Sequence, residues 1–300
     1  MLLDASITSL AQHVVDALAL GSTYALYALG VALVFSVMRL INFAHGELIT
    51  AGALGFYLFA GMPLAPLLLV TAGLVIGLAL LTERVAFRPV RNADPATLLI
   101  TSFALSYLLQ SLLNLFFGSA PKSVNIAGGL TGSFNLAGVS IGGLDALTIV
   151  VTALLLTGMA LFFAKSTIGI QMRAAAEDFS MARLVGVRAN RVIATAFAMS
   201  GLLAAIASFF LIVRSGSVTT TIGVAPLLIA FIATVVGGMG SLTGAVVGGM
   251  LMGIVTVLFQ VILPPELGPY RDAFVYFIVL TVLVFRPRGL IVARSTSTRI

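Results

Sequence analysis

RLINFAHGE, residues 39–47, sets Arg39, Asn42, His45, Gly46 and Glu47 within nine positions of a chain that otherwise avoids charge. An imidazole and a carboxylate two residues apart can relay a proton, close a polar gate, or start a helix. Catalysis by this group finds no support elsewhere in the chain. The two histidines are His13 and His45. There is no H-E-x-x-H pair to hold zinc, and no serine in a nucleophile-elbow setting to pair with His45. Cysteine is absent, which removes disulfides and thiolate metal sites. The lysines are Lys122 and Lys165, neither after a Gly-rich phosphate loop, so the chain does not bind ATP through a P-loop. No catalytic, metal or cofactor residue is assigned.

The solvent around this group is lipid. Of 300 residues, 60% are hydrophobic and 9% charged, and mean hydropathy is +1.17. Soluble domains carry about 25% charged residues. Apolar runs long enough to span a bilayer fall at 10–38, 46–62, 64–83, 96–117, 144–164, 191–213, 223–238, 242–263 and 271–285. The chain is therefore expected to be an all-α polytopic membrane protein, one transmembrane domain over 1–300, with about 8–10 spans. The second and seventh runs are short and rich in Gly or polar residues, and are expected to be broken or re-entrant. The opening MLLDASITSL has no Lys or Arg, so the first apolar run is expected to be kept as a span rather than cleaved.

Charge placement gives orientation. Arg84, Arg88 and Arg91, the loop 165–191 with Lys165, Arg173, Arg183, Arg188 and Arg191, and the tail with Arg286, Arg288, Arg294 and Arg299 hold twelve of the sixteen basic residues. The positive-inside rule puts these three stretches in the cytoplasm, with the N-terminus outside and the C-terminus inside. The net charge of +6 is then a membrane bias, and a nucleic-acid partner is not expected. Glu83, between the third span and Arg84, is read as an interfacial anchor. The outer connection 117–143, with alternating runs such as VSI, is expected to form a small hairpin.

Two loops stand out. The inner loop 165–191 predicts one helix over 171–187, with Met172, Ala175, Phe179 and Ala182 on one face and Gly186 as its stop. That helix either lies on lipid or presses its small-residue face into a partner. In GGMGSLTGAVVGGMLMG, residues 237–253, the pairs Gly244/Gly248 and Gly249/Gly253 have the spacing of closely packed membrane helices. The preceding Gly237, Gly238, Gly240 and Ser241 either serve that packing or expose unwound backbone to a pathway. GELITAGALG (46–55) aligns weakly with GSLTGAVVGG (240–249), a pattern seen in transporters built from two halves.

Four motifs in the same order, INFAHGE, RAAAEDFSMARLVGV, VVGGMGSLTGAVVGG and YRDAFVYFIVLTVLVFRPRGL, resemble the branched-chain amino acid permeases of bacterial ABC importers, specifically the shorter of the two permease subunits. The resemblance covers almost the whole chain. It implies an inner-membrane transport subunit that pairs with a second homologous permease, with two cytoplasmic ATPases that bind the ATP, and with an external substrate-binding protein. It implies that 171–187 is a coupling helix, with Arg173, Ala175, Glu177, Asp178, Ala182 and Gly186 at the ATPase. Relatives of this kind carry branched-chain or other amino acids, urea or short amides. A stand-alone channel, and a proton-coupled carrier using His45 and Glu47, are the competing readings.

The start of the second span leaves two readings open. Asn42 can cap a helix through its amide oxygen and Glu47 suits the positive helix end, with Arg39 as an interfacial anchor. Alternatively, His45 and Glu47 form a gate with each other or Arg39. The Gly-rich stretch 237–249 is then expected beside them, lining the inner half of the pathway.

Overall fold

A computed structural model describes residues 2–126, 132–136, 138–286 and 289–291. Arg288, Arg294 and Arg299 of the basic tail, and 127–131 of the hairpin connection, lie outside the described residues.

The axis of the bundle is α1 (Leu2–Met38), buried almost continuously from Ala19 to Val37. Small side chains make this possible. Gly21 and Ala25 let the backbone of α11 (Leu242–Ile262) come into contact through Gly253 and Gly249, where an added Cβ would strike α1 main chain. In lipid, such close approach replaces the hydrophobic drive that packs soluble helices. α9 (Ala189–Ser215), α10 (Val224–Gly237) and α6 (Gly143–Lys165) complete the ring around α1. α3 (Leu64–Thr82) lies on α9, where Gly201 meets Ala79 and the backbone of Val75 and Ile76. α5 (Pro95–Phe117) and α12 (Arg271–Phe285) lie outermost. They present Ile100, Tyr107, Phe116, Phe277 and Val284 outward, as a lipid-facing surface does.

Seven helices among the described residues are long and apolar enough to cross a membrane by length and composition. Two more, α2 (His45–Leu58) and α10, have 14 residues each, about 21 Å at 1.5 Å per residue. That is short of a hydrocarbon core of about 30 Å. α2 is enclosed by α9, α3, α5 and α10 and is buried from His45 to Phe56.

One end of the bundle carries small β elements. β1 (Lys122–Ser123) pairs antiparallel with β4 (Ser217–Val218). β2 (Ser133–Leu136) and β3 (Val139–Gly142) form the hairpin expected in 117–143, in register Phe134↔Ile141. Arg214 bonds Asp145 here at 2.5 Å. The opposite, basic end carries Arg39, Lys165 and the loop helices α7 (Thr167–Glu177) and α8 (Phe179–Leu184).

Candidate functional site

The group singled out in the sequence sits deep in the bundle. His45 packs on Gly30 of α1 and bonds Ser200 of α9. Gly30 is eight residues before the end of α1 and Ser200 eleven after the start of α9, roughly 12 and 16 Å from the basic end. The segment 39–44 therefore climbs from that end to mid-bundle before α2 begins. From there α2 runs to the hairpin end, where Lys122 Nζ lies 5.4 Å from the Tyr57 ring. α10 also begins at mid-bundle and runs the other way, to the basic end. The two half-length helices meet start to start. Gly223 lies against the Gly46 carbonyl with no room for a Cβ, and its N–H donates to Thr50 Oγ1 at 3.1 Å, while Thr50 Oγ1 donates to Gly46 O at 3.1 Å.

Each helix start carries about half a positive charge, so two abutting starts concentrate positive potential at mid-depth. Glu47, in the first turn of α2 and 3% exposed, places a carboxylate beside them. Its Oε1 accepts a long hydrogen bond from Ser106 Oγ of α5 at 3.4 Å, and its Oε2 is buried without a partner among the described residues. A buried carboxylate is costly without compensation, and a helix start beside it favours its charged form.

His45 is settled differently. Ser200 Oγ donates its single proton to Gly30 O at 2.9 Å and lies 3.1 Å from His45 Nδ1. Nδ1 therefore carries the proton that completes the chain His45–Ser200–Gly30. The imidazole and the Glu47 carboxylate thus bond different helices, α9 and α5. The expected His45–Glu47 gate contact, on which the proton-relay reading rested, is replaced by these two separate bonds. Asn42 is also corrected. Ala44, not Asn42, occupies the cap position of α2, because Asn42 turns the chain one step earlier: its Oδ1 accepts from Ala44 N at 3.1 Å. Asn42 Nδ2 is buried with no partner among the described residues.

Arg39 forms the hinge between this junction and the loop helices. Among the described residues it is the one non-glycine residue with positive φ, at 55°, a conformation that costs an L-residue about 1–2 kcal/mol. Its guanidinium donates to Ala176 O at the end of α7 at 2.8 Å, so the head of the climbing segment is tied to the loop.

The loop departs from the single helix expected over 171–187. It breaks at Asp178, whose extended backbone ends α7 and whose Oδ1 accepts from Ser180 N and Met181 N at 2.9 and 3.0 Å, capping α8. An aspartate competes for local backbone donors in this way wherever a cap is available. Gly186, at φ +90°, ends α8, with Val187 N donating to Ala182 O at 3.0 Å. The small-residue face is corrected as well. Met172, Ala175 and Ala182 are buried against the chain's own bundle, so they hold the loop down. The outward surface includes Arg173, Glu177, Asp178 and Gly186 with exposed Met181, Leu184 and Val185.

The Gly-rich stretch has two distinct parts. Gly238 and Gly240 take φ +115° and +90° to reverse the chain between α10 and α11, and Ser241 Oγ caps α11 by accepting from Gly244 N at 3.0 Å. Gly237 meets Gly244, and Gly248 meets Ala233, so one face of α11 packs on α10 while Gly249 and Gly253 pack on α1. This turn closes against Gly289, with Ile291 N donating to Gly237 O at 2.9 Å. The neighbour of the α2 start is therefore the other end of α10, Gly223, rather than 237–249.

Sequence reasoning missed Thr50, four residues after Gly46, and Gly30, Ser106, Ser200 and Gly223, whose nearness to the group carries no local signal. It also misplaced Glu83, which is 2% exposed and bonds Arg88 through Oε1 and Oε2 at 3.2 and 3.1 Å. The pair spans a π-helical turn, Glu83–Phe87, that joins α3 to α4 (Arg88–Val90). The five-residue Glu–Arg spacing before Pro89 was the readable clue, since only a wider turn aligns such a pair.

Three relatives extend over nearly the whole chain. A family model described as a branched-chain amino acid transport system permease component matches residues 13–284. The high-affinity branched-chain amino acid transport system permease protein BraD of Pseudomonas aeruginosa is 33% identical, over 93% of this chain and 95% of its own length. The LivH proteins of Salmonella typhimurium and Escherichia coli K12, with the same description, are each 34% identical, over 93% of this chain and 94% of theirs. No solved structure matches.

Proposed function

Because this chain belongs to the family of branched-chain amino acid transport permeases, and is a multi-pass membrane protein of that family, we propose that it forms part of the translocation pathway for branched-chain amino acids in an ATP-driven importer. The observation that carries this reading is the identity of a third over 93% of the chain to permeases named for that transport. The partners are a second homologous permease, two cytoplasmic ATPases that bind the ATP, and a substrate-binding protein outside. The basic end faces the cytoplasm and the hairpin end faces out.

In this reading Asn42, His45, Gly46 and Glu47 line the pathway at the α2–α10 junction. Converging helix starts attract a substrate carboxylate, and Glu47 complements its ammonium group. The ATPases engage the exposed loop surface, Asp178 and Gly186 around Met181, Leu184 and Val185, while Arg173 and Glu177 line the adjoining cavity. An apolar patch of that kind on a charged loop suits a protein groove. Movement of α7 is transmitted through the Ala176–Arg39 bond to the segment that ends in His45. The turn Gly237, Gly238, Gly240, Ser241 and the packing pairs Gly244/Gly248 and Gly249/Gly253 keep α10 and α11 moving as one body.

The test is uptake by proteoliposomes holding this chain with the second permease, the ATPases and the binding protein. Labelled leucine, isoleucine and valine are expected to accumulate with ATP and to stop accumulating without any one partner. Downhill flux through this chain alone would support a channel and sink the proposal.

A further inference from the structure

At the basic end, two neighbouring cavities share a wall and together form a groove. The first, about 300 Å³, is lined by Arg173 and Glu177 of α7, by Ser36, and by Ser241 and Thr243 at the start of α11. The second, about 420 Å³ and almost wholly apolar, runs along Leu29 of α1, Leu156, Met159 and Phe163 of α6, and Val246 and Val247 of α11. Phe163, Arg173, Leu242 and Thr243 line both. The groove exists because α6 and α11 each pack on α1, leaving a slot between them floored by Leu29.

Its chemistry is that of a lipid site, polar at the mouth and apolar below. From Leu156 to Phe163, the α6 residues that line it, the wall rises roughly 10 Å, about two thirds of half a hydrocarbon core. The polar mouth holds a cation and an anion, Arg173 and Glu177, that make no hydrogen bond or ion pair among the described residues. They stand four apart in the order basic then acidic, the less favourable one for mutual pairing on a helix. Ser241 caps Gly244, and the N–H groups of Leu242 and Thr243 have no partner among the described residues at the start of α11. A phosphate fits that start and Arg173 together, and a primary ammonium fits Glu177.

We propose that this groove is a binding site for one phospholipid with a zwitterionic, primary-amine headgroup. Its phosphate sits on Arg173 and the start of α11, its ammonium on Glu177, and an acyl chain between α6 and α11. The headgroup then touches α7 beside Ala176, whose carbonyl holds Arg39, so the lipid braces the loop that moves the α2 segment.

The experiment is lipid titration of the delipidated full chain, read by native mass spectrometry, with phosphatidylethanolamine, phosphatidylcholine and phosphatidylglycerol of identical acyl chains. Ethanolamine lipid is expected to bind about tenfold more tightly than the other two, the size of one charge-assisted pair. Glu177→Gln, an isosteric change at an exposed position, is expected to bring the three within about twofold of one another. Arg173→Gln is expected to weaken all three. Val247→Trp, which fills the slot from its open side, is expected to abolish binding in a protein that stays monodisperse. Equal binding of the three lipids by the unmodified chain, or a preference that survives Glu177→Gln, would overturn the proposal. So would a photo-crosslinker at Val247 that captures only the chain's own tail or a second permease.

Discussion

Gly30→Ala is predicted to be harmful or helpful depending on one other residue. A Cβ at Gly30 would lie 2.6 Å from Cε1 and Nε2 of His45, against a comfortable carbon contact of about 3.5–4.0 Å. The ring must retreat by roughly 1 Å, and it starts 3.1 Å from Ser200 Oγ, so the hydrogen bond breaks. Overpacking costs about 1–3 kcal/mol and the broken bond about 1 kcal/mol. Replacing a helical glycine by alanine returns about 0.5–1 kcal/mol, leaving a net loss of about 1–3 kcal/mol. With His45→Ala already present the obstacle is gone, so only the helical gain remains and the sign of the effect reverses. The assay is unfolding of the four purified variants of the double-mutant cycle in detergent, with ATP-driven uptake measured in parallel. A similar loss from Gly30→Ala in both backgrounds would show that His45 does not occupy the space beside Gly30, and the mid-bundle placement of the α2 start would fall with it.

Further outcomes follow from other contacts. Gly249→Leu should abolish assembly, because even a Cβ there strikes the backbone of Ala25; normal yield in membranes would contradict the α1–α11 packing. Glu83→Ala leaves Arg88, which is 33% exposed, without its partner and should cost about 1–3 kcal/mol. The double change to Glu83→Leu and Arg88→Leu should recover part of that loss, as measured by detergent unfolding. Asp178→Ala removes the cap of α8 and should cost about 1 kcal/mol, seen as faster amide exchange confined to 179–187. Arg39→Gln should leave ATP hydrolysis by the assembled importer intact while uptake falls at least several-fold. Uptake and hydrolysis falling together would refute the role given to the Arg39–Ala176 bond.

The class of fold was legible because lipid imposes one rule, that backbone groups be satisfied within helices, and long apolar runs obey it visibly. Local punctuation was legible in part. Gly186, read as a helix stop, ends α8, whereas Ser241, read as a packing or pathway residue, caps α11. Depth was not legible. Nothing in INFAHGELITAGA tells that α2 begins at mid-bundle, because that depends on Gly30 and Ser200, 15 and 155 residues away in sequence, with Ser200 paired to His45 across that distance. The loop face was misread because a stripe of small residues reports close packing without naming the partner. Met172, Ala175 and Ala182 spend it on their own bundle. Asp178 was read only as a contact residue, and its short carboxylate also caps the next helix.

The central claim is that the α2–α10 junction lies on a pathway opened alternately to the two sides by the ATPases. The chain has no cysteine, so a single Ser106→Cys beside Glu47 provides a unique probe. Its labelling by a membrane-impermeant maleimide is measured in the assembled importer from each side of the membrane, with and without ATP. The account predicts labelling from one side at a time, with the accessible side exchanged by nucleotide. Labelling from both sides at once, or from neither in any nucleotide state, would contradict it.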